Sequence, residues 1–164
     1  MQKNNSLFER IQSDLQEKGF NIVGKDLGKP WGGYLLIDEG QIKKFIEEYF
    51  SHIKLPELDF SLKMSPKILL VAPHKRLSWQ YHHRRREIWT ILDGPVEIVT
   101  NDSDDLIPGK AYQDNDFIDI KLGERHRLVG LNNWGIVAEI WLHTDPKNPS
   151  NEEDIVRVED DFNR

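Results

Sequence analysis

LSWQYHHRRREIW, residues 77–89, places a glutamine, two histidines, three arginines and a glutamate between Trp79 and Trp89. Side chains alternate faces along a strand, so Gln80 and His82 point one way while Leu77, Trp79 and Tyr81 point the other way and can pack. A carboxamide and an imidazole two residues apart on one face of a barrel wall form half of a chelate. The surrounding sequence supplies that wall. From Lys67 onward, KILLVAP, LSWQYHH, EIWTIL, VEIVT, DFIDIKL and GIVAEIWLH are short runs rich in β-branched and aromatic residues. Turn signals at Asp93-Gly94, Pro108-Gly109, Leu122-Gly123 and Asn132-Asn133, ahead of Gly135, separate them. Many short strands with this punctuation predict an all-β sandwich, jelly roll or small barrel.

Upstream the period changes. SLFERIQSDLQEKG (6–19) reads as an amphipathic helix with a Ser6/Glu9 capping box, a Phe8, Ile11 and Leu15 face, and Gly19 as its stop. DEGQIKKFIEEYFS (38–51) repeats the design, with Asp38 and Gln41 as caps and Ile42, Phe45, Ile46, Tyr49 and Phe50 as the stripe. Both stripes read as packing surfaces. We expect residues 1–66 to form an N-terminal helical extension with a leading strand, packed on a barrel. Residues 67–164 then form the barrel and a charged tail, in one structural unit.

At 164 residues the chain is the size of one domain, and 38% hydrophobic residues allow a real core. Asp and Glu outnumber Lys and Arg by 28 to 22, a net charge of -6, which argues against a nucleic-acid partner. A small anion needs only a local cationic pocket. The chain has no cysteine, which excludes disulfides, thiolate metal sites and a cysteine nucleophile. MQKNNSLFER lacks the apolar run of a signal peptide, and no stretch approaches the roughly eighteen apolar residues of a span. A cytoplasmic protein with no membrane partner is the expectation.

Glu87 lies five residues beyond His82, on a strand ending at Asp93-Gly94, and can return to the same interior. A distant fourth group is offered by GERHR, where Gly123 permits a turn and His126 begins a strand. Gln80, His82, Glu87 and His126 make a nitrogen-and-oxygen set suited to zinc, manganese, iron or nickel, with positions left for water or substrate oxygens. His52, His74 and His143 read as structural or exposed. His83 alternates off the Gln80–His82 face.

This spacing resembles the cupin signature, G(X)5HXH(X)3,4E(X)6G. Here Gln80 stands at the first histidine, His74 at the leading glycine, and Gly94 follows Glu87 after six residues. The second motif is similar through Gly123 and His126, with Lys121 at its usual proline and Gly130 at its trailing asparagine. Over most of residues 29–164 the chain resembles the cupin domain of type II mannose-6-phosphate isomerases. The carriers are KPWGGY, LSxQxHxxRxExW, GERHRL, AEIW and EEDIVRVEDDFNR. The N-terminal helix and residues 38–63 lie outside the match. Arg86 stands where that family has Ala, and Trp141 where it has Gln.

The resemblance implies a double-stranded β-helix with metal ligands at Gln80, His82, Glu87 and His126, zinc foremost. It implies a sugar phosphate as substrate and aldose–ketose isomerisation through a metal-stabilised enediolate, mannose 6-phosphate to fructose 6-phosphate. A nucleotidyltransferase half is not part of this sequence. Arg85 matches the motif arginine for the phosphate, with Arg76, Arg125 and Lys75, and then Arg84 and Arg86, as further candidates. Glu139 of AEIW, or His83, is expected to carry the proton. Some similar cupins are linked to phosphoheptose isomerisation. A non-catalytic cupin that binds a sugar or nucleotide-sugar competes, and an iron oxygenase is disfavoured by glutamine in a histidine position. A homodimer joined at a strand edge is expected. The tail, with Arg157 and Arg164, is expected to pack on the barrel through surface ion pairs rather than close over the site.

Overall fold

The computed structural model describes residues 2–164, with side chains from Asn5 onward. Two helices, α1 (Gln2–Glu17) and α2 (Ile42–Tyr49), accompany eleven strands. The strands are β1 (Ile22–Lys29), β2 (Gly32–Ile37), β3 (Met64–Val71), β4 (Trp79–Tyr81), β5 (Arg85–Asp93) and β6 (Val96–Asn101), then β7 (Lys110–Tyr112), β8 (Phe117–Ile120), β9 (Arg125–Gly130), β10 (Gly135–His143) and β11 (Val156–Glu159). They form two facing antiparallel sheets, one in the order β1-β2-β3-β10-β5-β8 and one in the order β11-β4-β9-β6-β7.

The centre of the larger sheet is β10, GIVAEIWLH, paired along its length with β3 and β5. Every residue of β10 is buried. Both faces are covered, so its sequence runs apolar instead of alternating. Val137 joins Leu69, Val71, Trp89, Ile91, Val96, Ile98 and Leu128 in a core between the sheets. Its neighbours Ile136, Ala138, Ile140 and Leu142 turn outward and join a second core with Ile68, Leu70 and Ile88, roofed by Phe8 and Leu15 of α1 and Phe45 and Ile46 of α2. The helices therefore cover the outer face of one sheet and leave the barrel interior to the strands.

Three local expectations change. Helix α1 begins at Gln2, so Ser6 lies inside the helix and the Ser6/Glu9 box does not sit at its start. Gly19 does stop it, in the left-handed region at φ 83°. Asp38 caps a 3-10 turn at Glu39–Gln41, accepting from the Gly40 N–H, while Gln41 caps with no side-chain bond. The Gln41 carboxamide ties the two helical segments together instead, donating to the Gly19 carbonyl and accepting from the Asn21 N–H. Residues 1–66 contribute two full strands, β1 and β2, and the boundary expected at 66/67 falls inside β3.

Two departures from the cupin pattern have backbone causes. His74, at the leading-glycine position, keeps a left-handed φ of 60°. Gly130, at the asparagine position, lies against residues 72–75: an added Cβ would sit 2.0 Å from the Ala72 carbonyl oxygen. Among the described residues no helix is long and apolar enough to cross a membrane.

Candidate metal centre

The smaller sheet brings distant residues into one row. Gln80 of β4 lies opposite His126 of β9 on one side and opposite Arg157 of β11 on the other. Directly opposed residues share a face. His82 follows β4, and Glu87 faces inward from β5. All three groups converge inside the barrel. His82 Nε2 is 3.2 Å from Glu87 Oε1, His126 Nε2 is 3.3 Å from Glu87 Oε2, and the two Nε2 atoms are 3.3 Å apart. Each of these three residues is at most 2% exposed.

Both imidazoles are anchored through their other nitrogen. His82 Nδ1 lies 2.6 Å from the Asp154 carbonyl and His126 Nδ1 lies 2.9 Å from the Glu124 carbonyl. A carbonyl accepts only, so each ring carries its proton on Nδ1 and aims an Nε2 lone pair at Glu87. Burial holds His82 below the ordinary histidine range and keeps it neutral. Burial alone would raise Glu87, but the positive charge around it, with the Arg85 guanidinium bonded to Oε1, outweighs burial and holds the carboxyl well below the usual range. Glu87 Oε2 is buried without a hydrogen bond. Two lone pairs and a carboxylate aimed at one another call for a cation between them. An N,N,O donor set suits a borderline divalent ion and leaves coordination positions open. His82, Glu87 and His126 therefore fit a metal ion. Gln80 Nε2 lies 3.5 Å from His82 Nε2, and its Oε1 accepts from Ser78 Oγ. A half-turn of the carboxamide would present Oε1 as a fourth ligand.

Arg85 lies beside this cluster. It donates from Nε to Glu87 Oε1 (2.9 Å) and from Nη1 to Ser150 Oγ (2.9 Å), and Nη2 is 3.2 Å from His82 Nε2. Its guanidinium stacks 3.5 Å from the Trp141 ring centre, and the residue is 4% exposed. The motif arginine is thus committed to protein groups and supplies positive charge to Glu87, not a free fork for phosphate.

The cluster opens into a cavity of about 90 Å³ lined by Trp31, Lys67, Gln80, Glu139, Arg157 and Arg164, among others. A wider cleft of about 640 Å³ lies between the helices and the sheet, lined by residues such as Arg10, Tyr49 and Thr90, and none of the three cluster residues reaches it. Glu139 lines the smaller cavity, and its carboxylate accepts from the indoles of Trp89 (2.7 Å) and Trp141 (2.8 Å). Burial and the charge of Glu87 push its carboxyl up to about 8.

The other expected phosphate groups are directed elsewhere. Arg76 is forked onto Asp161, Arg125 pairs with Asp104 and stacks on Tyr81, and Lys75 is exposed outside the cavity. Arg84 and Arg86 pair with Asp154 and Asp119. His83 is exposed, with its ring against Tyr81, and takes no place in the cavity. The alternation that turns Gln80 and His82 inward turns His83 out.

Asp154 and Lys67 carry no expectation from the sequence, and Arg157 was expected only in surface ion pairs of a packed tail. Asp154 accepts from the N–H groups of His83 and Arg84 while its carbonyl holds His82, so the tail fixes the ligand loop. Lys67 is 4% exposed, lies 3.8 Å from the Trp141 ring centre and 3.8 Å from Glu139 Oε1. Its apolar neighbours in KILLVAP conceal it. Arg157 faces the site because β11 pairs with β4; the signal was DIVRVEDD, whose alternation puts Arg157 out of phase with Val156 and Val158.

Two antiparallel sheets enclosing this histidine–carboxylate cluster define a cupin. The fold agrees with capsular polysaccharide assembling protein CapF from Staphylococcus aureus, at TM-score 0.52 and 16% identity over 85% of this chain and 32% of that one. The chain belongs to the family described as mannose-6-phosphate isomerase C-terminal, whose profile matches residues 43–160. Relatives include the xanthan biosynthesis protein XanB of Xanthomonas campestris pv. campestris (strain B100), 29% identical over 83% of this chain and 23% of its own length. Mannose-1-phosphate guanylyltransferase 2 of Escherichia coli O157:H7 is 25% identical over 90% and 25%. The alginate biosynthesis protein AlgA of Pseudomonas aeruginosa is 27% identical over 95% and 27%. The chain therefore spans only about a quarter of the length of these relatives.

Proposed function

We propose that this barrel is a metal-dependent sugar-phosphate isomerase that interconverts mannose 6-phosphate and fructose 6-phosphate. The observation that carries the reading is the convergence of two Nδ1-anchored imidazoles and a buried carboxylate, in a chain of this family. His82, Glu87 and His126 would hold the ion, with Gln80 beside them, and zinc is the first choice for this donor set. Bound there, the ion would supply Lewis-acid charge for sugar oxygens at C1 and C2.

The remaining work falls to the chain. Isomerisation moves one proton between C2 and C1 and a second between O2 and O1, so that hydroxyl and carbonyl exchange places. Glu139 is the carboxyl group in the cavity outside the ligand set that is held by two indole donors, and these leave it lone pairs for a carbon-bound proton. Lys67 and Arg85, stacked on Trp141, bring positive charge to the enolate-like charge that builds on oxygen. The buried indoles of Trp89 and Trp141 exclude water from the proton's path.

A coupled assay for fructose 6-phosphate, started with mannose 6-phosphate, tests this. The zinc- or manganese-loaded chain should turn over, chelator should stop it, and added metal should restore it. Folded, metal-loaded protein that makes no fructose 6-phosphate would remove the assignment.

A further inference from the structure

Of the three arginines lining the cavity, Arg85 is bonded to Glu87, Ser150 and backbone, and Arg164 is forked onto Asp160. Arg157 differs. Its guanidinium makes no ion pair or hydrogen bond among the described residues, although carboxylates abound in the tail. It is held in line with the candidate ligands, because β11 seats it opposite Gln80, which is itself opposite His126. Adjacent strands lie about 4.8 Å apart, so Arg157 sits about 10 Å from the His126 strand on the same face. Lys29 and Lys67 line the same cavity. The outer wall is the C-terminal segment itself, through Ile155, Arg157 and Arg164.

One wall of the cavity is β11, a four-residue edge strand with one hydrogen-bonded neighbour, and it carries Arg157.

We propose that Arg157 is the phosphate-binding residue of this site, and that the last strand of the barrel sets its preference for phosphorylated over free sugars. This rests on the sugar-phosphate reading above and sharpens it. An unpaired guanidinium offers a phosphate two parallel N–H donors, whereas Arg85, Arg76 and Arg125 would first have to release carboxylates. The lysines add charge without that fork.

Calorimetry on the metal-loaded chain tests it, with inorganic phosphate, fructose 6-phosphate and fructose as separate titrants. Arg157→Gln should weaken both phosphate-bearing ligands by about tenfold to a hundredfold, the range for a charged hydrogen-bonded pair. It should leave fructose binding and metal stoichiometry unchanged. Arg157→Lys should recover part of the loss, and Arg76→Gln should change nothing. Equal phosphate affinity in wild type and Arg157→Gln would overturn the assignment, as would a wild type that binds no phosphate. Because phosphate binding is read without turnover, these outcomes are separate from the coupled assay: an inactive chain whose phosphate affinity depends on Arg157 would keep the anion seat and lose the isomerase.

Discussion

His126 and His82 show how little of a site a single residue contains. Each is an ordinary buried imidazole until its Nδ1 meets a backbone carbonyl, which turns Nε2 toward Glu87. Replacing His126 by Ala removes one donor of three and should drop metal content, read by elemental analysis after dialysis, from near one ion per chain to a small fraction of that. Full occupancy in the variant would remove His126 from the ligand set. The spacing of His82, Glu87 and His126 was legible because the two histidine motifs sit on neighbouring strands, β4 and β9, while Glu87 faces them from β5 of the opposite sheet. The roles of Arg85 and Asp154 were not legible. Arg85 reads equally as a phosphate fork or a buried counter-ion, and only its contacts with Glu87 and Trp141 decide. Asp154 lies more than seventy residues from the histidine it holds, and no local pattern announces that contact.

Among the elements, the long apolar strands β3, β5 and β10 were plain in the sequence, since burial on both faces leaves an unbroken hydrophobic run. Strands β1 and β7 were not. IVGKDLGK carries two glycines and three charges at a sheet edge, and KAY is three residues at the other sheet's edge, so neither presents a hydrophobic pattern. In β11 the reading of a packed tail and the reading of a site wall merge: the strand packs on β4 and in doing so presents Arg157. Helix α1 is anchored by its stripe, with Leu15 1% exposed against the outer core. Leu15→Ala should cost about 2–5 kcal/mol in chemical denaturation. A change under half a kcal/mol would mean that the helix is not part of the cooperative unit.

For the molecule as a whole, the charged groups it buries set its response to acid. His143 accepts from the Ser150 N–H and bonds Ser65 Oγ, and burial pulls it from 6.5 down to about 4. His82 is shifted in the same direction by burial. Between about pH 6.5 and 4 the unfolded chain takes up protons that folded His143 refuses. His143 should therefore contribute a loss of stability in chelator as pH drops through that window, while Glu139, held up at about 8, contributes the opposite slope between about 8 and 4.5. The denaturation midpoint of wild type should fall relative to that of His143→Asn over that window, and parallel pH profiles for the two would remove His143 from the acid response. Metal binding adds to the folded state by mass action, about 2.7 kcal/mol at a hundredfold excess over Kd.

The most direct measurement is proton NMR of mannose 6-phosphate and fructose 6-phosphate in heavy water with the metal-loaded chain. Interconversion is expected, with deuterium appearing at C1 or C2, abolished by chelator and restored by zinc or manganese. Folded, metal-loaded protein that leaves both sugars unconverted and undeuterated would contradict it.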